Sequence, residues 1–95
     1  MDLTFSGEIW HWRGPSPFHF VTVPEDESAL IGSVASLVTY GWGVIPVTVT
    51  VGETTFTTSL FPKDGGYLVP LKDAVRRAED LQIGDVVDLH LLIDV

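Results

Sequence analysis

The amino-acid sequence predicts an all-β (mainly β) domain, folded as a small closed barrel of about six strands with two short helices. Several short segments alternate apolar and polar residues, which is the two-residue period of half-buried strands. Only two segments show helical spacing, too few to cover both faces of a parallel sheet. Closing an antiparallel sheet into a barrel would pair its two edge strands, which in a chain rich in valine and isoleucine would otherwise favour aggregation.

Two strands are predicted before the first helix. Residues 3–12 alternate, and this period places Trp10 and Trp12 on the face opposite the presumed core residues. Residues 13–17 contain two prolines and a glycine, so we expect a turn there. Residues 18–23 are predicted to form the second strand.

The first helix is predicted to begin at Pro24 and to run for three to four turns. Proline suits the first helical position, and the acidic residues 25–27 complement the positive end of the helix dipole. The Gly41-Trp42-Gly43 run is expected to end the helix. The apolar stripe of the helix is predicted to consist of Leu30, Ile31, Val34 and Leu37 or Val38.

A hairpin is predicted in the centre of the chain. Residues 44–51 alternate, residues 56–60 continue the alternation, and Gly52-Glu53 between them suits a type II′ turn. Residues 61–66, which contain Pro62 and two glycines, are predicted to form a loop.

The remaining elements are a strand at residues 67–71, a helix at about 72–80 and a last strand at 87–95. Gly84-Asp85 is expected to turn the chain before that last strand. The stripe of the second helix is predicted to be Leu71, Ala74, Val75, Ala78 and Leu81.

Length and charge limit the classes of function. Ninety-five residues allow one domain, spanning 1–95. A formal net charge of -8 disfavours nucleic acids and anionic membrane surfaces as partners. No apolar run reaches the roughly 18 residues needed to cross a bilayer, and the N-terminus lacks a secretory signal pattern. The chain has no cysteine, and we expect a soluble cytoplasmic protein.

Four segments carry a family resemblance: residues 5–10, residues 18–24, residues 41–51 and residues 58–62. Together they resemble the bacterial family catalogued as domain of unknown function 1905, over nearly the whole chain. That family is associated with a double-split β-barrel, which agrees with the barrel that the alternation predicts. The resemblance implies no catalytic residues.

The closing part of the chain has a second resemblance. The strand, short helix and Gly-Asp turn of residues 67–87 are similar to AbrB and MazE-type swapped-hairpin domains. AbrB-type proteins bind DNA and MazE-type proteins neutralise a toxin, usually as interlocked dimers. This resemblance implies a regulator as an alternative function, although the acidic charge departs from the DNA-binding pattern.

No catalytic or metal-binding pattern is visible. His11, His19 and His90 lack the spacings that readily build a metal site, so we predict no metal and no cofactor. The serines lack a nucleophile elbow, and the helix dipole already explains the acidic residues 25–27. An enzyme is therefore not predicted.

Aromatic and basic residues supply the candidate ligand site. Large rings on a soluble domain often mark a contact, although they can also pack under the first helix or the Pro-rich turn. Arg76 follows Lys72 by four residues and could hold an anion with it, or pair with neighbouring acids instead. The candidates are Trp10, Trp12, Tyr40, Trp42, Lys63 and Arg76.

These observations favour a binding module that holds a small molecule or a protein partner in an aromatic-lined cleft. The alternatives are the AbrB-like regulator and an enzyme whose residues come from separate strands. Both a monomer and a homodimer agree with the sequence, because related barrels exchange hairpins while the extra N-terminal strands could complete the barrel within one chain.

Overall fold

A computed structural model describes residues 1–13, 18–38 and 45–94. These residues form six strands and two helices. In chain order they are β1 (Asp2–Trp12), β2 (Phe18–Thr22), α1 (Glu25–Val38), β3 (Ile45–Val51), β4 (Thr54–Lys63), β5 (Gly66–Leu71), α2 (Asp73–Ala78) and β6 (Val86–Leu92).

The strands close into one barrel in the order β1-β2-β5-β4-β3-β6, and β6 pairs with β1. All neighbouring strands are antiparallel. The prediction of a closed six-stranded barrel with two short helices is therefore confirmed. The relationship to AbrB and MazE-type domains stays a prediction.

The two long strands each change partner along their length. Residues 2–8 of β1 pair with β6, whereas residues 9–12 pair with β2. Residues 54–60 of β4 pair with β3, whereas residues 61–63 pair with β5. The barrel thus consists of two sheets that share β1 and β4: sheet 1 adds β3 and β6, and sheet 2 adds β2 and β5.

The core lies between the inward faces of these sheets, and every second residue of β3 and of β6 is buried there. Ile45, Val47, Val49 and Val51 of β3 follow the predicted two-residue period and are all buried. The fully buried side chains with the largest volumes are Ile9, Ile31, Ile45, Leu60, Leu89, Leu91 and Ile93.

The β3–β4 hairpin has the predicted turn. Val51 faces Thr54 across a two-residue loop. Gly52 has φ +58, while Glu53 is not among the residues with positive φ. A left-handed residue at the first central position alone is the pattern of the type II′ turn.

The loop predicted at residues 61–66 is wrong. β4 continues to Lys63, β5 begins at Gly66, and these two residues face each other across a tight turn. Asp64 (φ 52) and Gly65 (φ 80) are both left-handed, as a type I′ turn requires. Pro62 is tolerated within β4 because β4 pairs there with β5 and no longer with β3.

The predicted stripe of α1 is partly wrong, because Leu30 is 49% exposed. Helix α1 packs against β3 and β5 with buried Ser28 and Ile31, while Val34 and Ala35 are partly buried. These residues lie three and four apart on one face, and Leu30 is rotated about 100° from Ile31.

Helix α2 is shorter than predicted and buries only Val75. Asp80 has φ 51, and the amide of Leu81 donates to the Arg76 carbonyl oxygen at 2.8 Å. This Schellman-type ending stops the helix after Ala78. The predicted stripe residues Ala74 and Ala78 are exposed.

Candidate functional site

The outer face of sheet 2 carries a continuous aromatic cluster. Ile9 and Val21 face each other on adjacent strands and point into the core. Their chain neighbours therefore point outwards, away from that core. We call the cluster of Trp10, Trp12, Phe18, Phe20 and Phe61 the aromatic face.

Phe20 lies at the centre of the aromatic face and is only 5% exposed. Its ring centroid lies 5.4 Å from that of Trp10, 5.9 Å from that of Phe18 and 6.1 Å from that of Phe61. These distances are typical of interacting aromatic pairs. The rings around Phe20 stay accessible, because Trp12, Phe18 and Phe61 are 43%, 46% and 38% exposed.

An open cavity of about 660 Å³ adjoins the aromatic face at Trp10. We call it the tryptophan cleft. The β4–β5 turn and the first turns of α1 form its other sides. It is lined by Trp10, Thr22, Val23, Glu25, Ser28, Ala29, Lys63, Asp64, Gly65, Gly66, Tyr67 and Leu68.

Hydrogen bonds fix the polar atoms in this cleft. The indole Nε1 of Trp10 donates to the Thr22 hydroxyl at 3.0 Å, which sets the orientation of the ring. The buried Ser28 hydroxyl donates to the Val23 carbonyl oxygen at 3.2 Å. The Trp10 ring, which forms an apolar wall of the cleft, is therefore held in place by Thr22 of β2.

Both signs of charge occur at the rim. The Lys63 ammonium lies 3.6 Å from the Asp64 carboxylate and 5.1 Å from the centroid of the Trp12 ring. Glu25, at the start of α1, also lines the cleft. A ligand in this cleft would contact an indole wall and a charged rim.

The structure brings Trp10, Trp12 and Lys63 of the predicted set together. Arg76 lies on α2, outside this cleft, and its guanidinium donates to the Asp73 carboxylate. Of the two contacts that the sequence allowed for Arg76, the structure therefore has the pairing with a neighbouring acid. Tyr40 and Trp42 lie outside the described residues.

A second open cavity, of about 430 Å³, adjoins the aromatic face at Phe18 and Phe61. We call it the lysine cleft. It is lined by Phe18, His19, Thr58, Phe61, Pro70, Leu71, Lys72 and Asp73. Phe18 and Phe61 were not predicted as site residues; the structure places them on β2 and β4, in the aromatic face.

His19 in the lysine cleft faces His11 directly across β1 and β2, with ring centroids 4.8 Å apart. Burial lowers the pKa of His19, and the charges of Arg76 and His11 lower it further, while Asp73 opposes the shift. The sequence did not indicate this pair, because only the register between β1 and β2 brings the two rings together.

No group of three or more histidines and acids in residues 1–13, 18–38 and 45–94 is arranged to hold a metal ion. Neither of the described helices has the length and apolar character to cross a membrane.

The family model of a domain of unknown function, DUF1905, matches residues 5–91. The chain belongs to this family. The DUF1905 match runs from β1 to β6 and includes every residue that lines the two clefts. It confirms the resemblance seen in the sequence. The comparison with curated proteins gave no match.

Proposed function

We propose that this DUF1905 domain is a binding module that holds a small amphipathic molecule in the tryptophan cleft. The observation that carries the proposal is the Trp10 ring, which is oriented by Thr22 and lines an open cavity of about 660 Å³. Ligand cavities of proteins commonly have about 300–1,000 Å³.

A fixed aromatic wall favours binding for an energetic reason. A side chain that is already ordered loses little conformational entropy when a ligand packs against it. Trp10 is held by its hydrogen bond and by the Phe20 ring, so this cost is low. The indole also offers a large apolar area to a flat ligand.

The lining supports a ligand with one apolar and one polar end. Trp10, Tyr67 and Leu68 provide apolar lining. Lys63, Asp64 and the Glu25 carboxylate offer charged partners at the rim. A planar or aliphatic body would pack on the rings, and its polar groups would face the β4–β5 turn.

A ligand-observed NMR screen with a library of small aromatic and amphipathic metabolites tests the proposal. Trp10→Leu removes the wall of the cleft, whereas Trp12→Leu removes an indole from the same strand that does not line it. For each compound that binds, we expect Trp10→Leu to weaken affinity about tenfold or more. Trp12→Leu should change it less than about threefold.

Two results would contradict the proposal. One is a screen in which no compound of the library binds to the native protein. The other is a set of binders whose affinities fall equally in the two variants, which would place their contact outside the tryptophan cleft. Circular dichroism should show that both variants keep the native fold, because Trp10 and Trp12 lie outside the barrel core.

A further inference from the structure

The basic residues of this acidic chain are unevenly placed. The sequence has five Lys and Arg residues against thirteen Asp and Glu residues. Three of the five, Lys72, Arg76 and Arg77, lie on or next to the short helix α2. The lysine cleft therefore opens beside the most cationic stretch of the described chain.

Within the described residues, the ion pairs leave Lys72 without an acidic partner. The three pairs are Lys63 with Asp64, Arg76 with Asp73 and His90 with Asp2. The Lys72 ammonium makes one long contact, 3.5 Å to the Thr57 carbonyl oxygen. The Asp73 carboxylate beside it is already engaged by Arg76. Lys72 thus lines the cleft as a cation without an acidic partner, because Asp73, the acidic residue of the lining, is paired with Arg76.

The remaining lining is mostly apolar. The rings of Phe18 and Phe61, both more than a third exposed, flank the cleft together with Pro70 and Leu71. His19 and the Thr58 hydroxyl add hydrogen-bonding groups. The cleft therefore combines exposed aromatic surface with one unpaired ammonium group.

We infer that the lysine cleft is a second ligand site, which takes a small aromatic carboxylate. The carboxylate would pair with the Lys72 ammonium, and the ring would pack between Phe18 and Phe61. An aromatic amine would instead place its charge next to Lys72, with Arg76 close by on α2. Charge complementarity thus decides between the two classes.

The site is independent of the proposed function of the tryptophan cleft. The two cavities share no lining residue. A compound bound in one cleft would therefore contact a different set of side chains from a compound bound in the other.

The test uses the full chain and three probes of one shape: 2-naphthoate, 2-naphthamide and 2-naphthylmethylamine. Isothermal titration calorimetry or NMR shift titration at pH 7 measures their affinities. We expect 2-naphthoate to bind about tenfold more tightly than 2-naphthamide, because a charge-assisted hydrogen bond is stronger than a neutral one. The amine should bind most weakly.

Lys72→Gln removes the proposed charge partner, and Arg77→Gln is its matched control. Both residues are exposed, but Arg77 does not line the lysine cleft. We expect Lys72→Gln to weaken 2-naphthoate about tenfold and 2-naphthamide less than about twofold. Arg77→Gln should leave both affinities within about twofold, because long-range attraction at an exposed site is screened.

Four outcomes would overturn the inference. The first three are an absence of 2-naphthoate binding at millimolar concentration, equal affinity for 2-naphthoate and 2-naphthamide, and an equal loss in the Lys72 and Arg77 variants. Trp10→Leu separates the two sites. Binding of 2-naphthoate that survives Trp10→Leu supports the lysine cleft, and binding lost in that variant places the probe in the tryptophan cleft and contradicts the inference.

Discussion

At the scale of single residues, Gly7 lies next to the point where β1 passes from sheet 1 to sheet 2. A Cβ atom at this position would lie 2.5 Å from the Cγ1 atom of Val21, which is fully buried. Close packing leaves Val21 little room to move away. The absence of a side chain at Gly7 is therefore a requirement of the closed barrel.

We expect Gly7→Ala to lower the free energy of unfolding by about 1–3 kcal/mol, which is typical of an overpacked core. Gly32→Ala is the matched control, because a Cβ atom at Gly32 on α1 meets no atom within 4 Å. Alanine there should raise stability by about 0.5–1 kcal/mol. Urea unfolding followed by circular dichroism measures both changes. Equal changes in the two variants would contradict this account.

His19 should make stability depend on pH. Its pKa is lowered from 6.5 by burial, by Arg76 and by His11. The unfolded chain therefore takes up this proton at a higher pH than the folded chain does. It follows that the free energy of unfolding is unaffected by His19 above about pH 7 and falls as pH decreases through 6.5.

Thermal unfolding between pH 8 and 5 tests this prediction. His19→Gln removes the titrating group, so its melting temperature should fall less over this range than that of the native protein. The same slope in both proteins would show that other groups set the acid sensitivity.

At the scale of elements, the β4–β5 turn forms one side of the tryptophan cleft. Gly65 has φ 80, a left-handed conformation that costs other L-residues about 1–2 kcal/mol. We expect Gly65→Ala to destabilise the protein by about that amount in urea unfolding.

Asp64→Asn is the control for this turn. Asparagine tolerates the left-handed conformation, and the Lys63–Asp64 ion pair that it removes is exposed and contributes little. Stability should stay within about 0.5 kcal/mol of the native value. A variant at Asp64 as unstable as Gly65→Ala would indicate that the ion pair, and not the backbone, holds the turn.

Local sequence period predicted most of the secondary structure. The alternation in β1, β3 and β6 predicted which face of each strand is buried, because burial on one side of a strand imposes a two-residue period. The same reasoning failed at residues 61–66. There Pro62 and the glycines suggested a loop, and the Asp64-Gly65 signal for a type I′ turn was overlooked.

The candidate site could be predicted only in part. Alternation placed Trp10 and Trp12 on an outer face, but the convergence of Trp10 with Lys63 depends on the β4–β5 turn and the strand order. The pairing of His11 with His19 likewise depends on the register between β1 and β2. Such contacts arise from tertiary structure, which one sequence encodes only indirectly.

At the scale of the whole molecule, one chain closes its own barrel. Each of the six strands has two neighbours from the same chain, so no strand edge requires a second copy. We therefore predict a monomer, one of the two states that the sequence left open. Size-exclusion chromatography with light scattering at micromolar concentrations should give the mass of one chain.

A stable dimer would contradict this prediction, and the exposed rings of the aromatic face would then be the first interface to test. Phe18→Ser and Phe61→Ser then provide the second measurement. Both side chains are partly exposed and lie outside the barrel core, so the variants should keep the fold. Loss of the dimer in these variants, with retention in Leu92→Ser on the opposite part of the barrel, would assign the contact.

The sharing of β1 and β4 between the two sheets has a consequence for how the molecule opens. Neither sheet can separate from the other without breaking hydrogen bonds along both shared strands. Amide protons in β3 and β6 should therefore exchange with solvent deuterium at the same limiting rate as those in β2 and β5. A compound bound beside sheet 2 would then slow exchange on the far side of the barrel, in strands that it never touches.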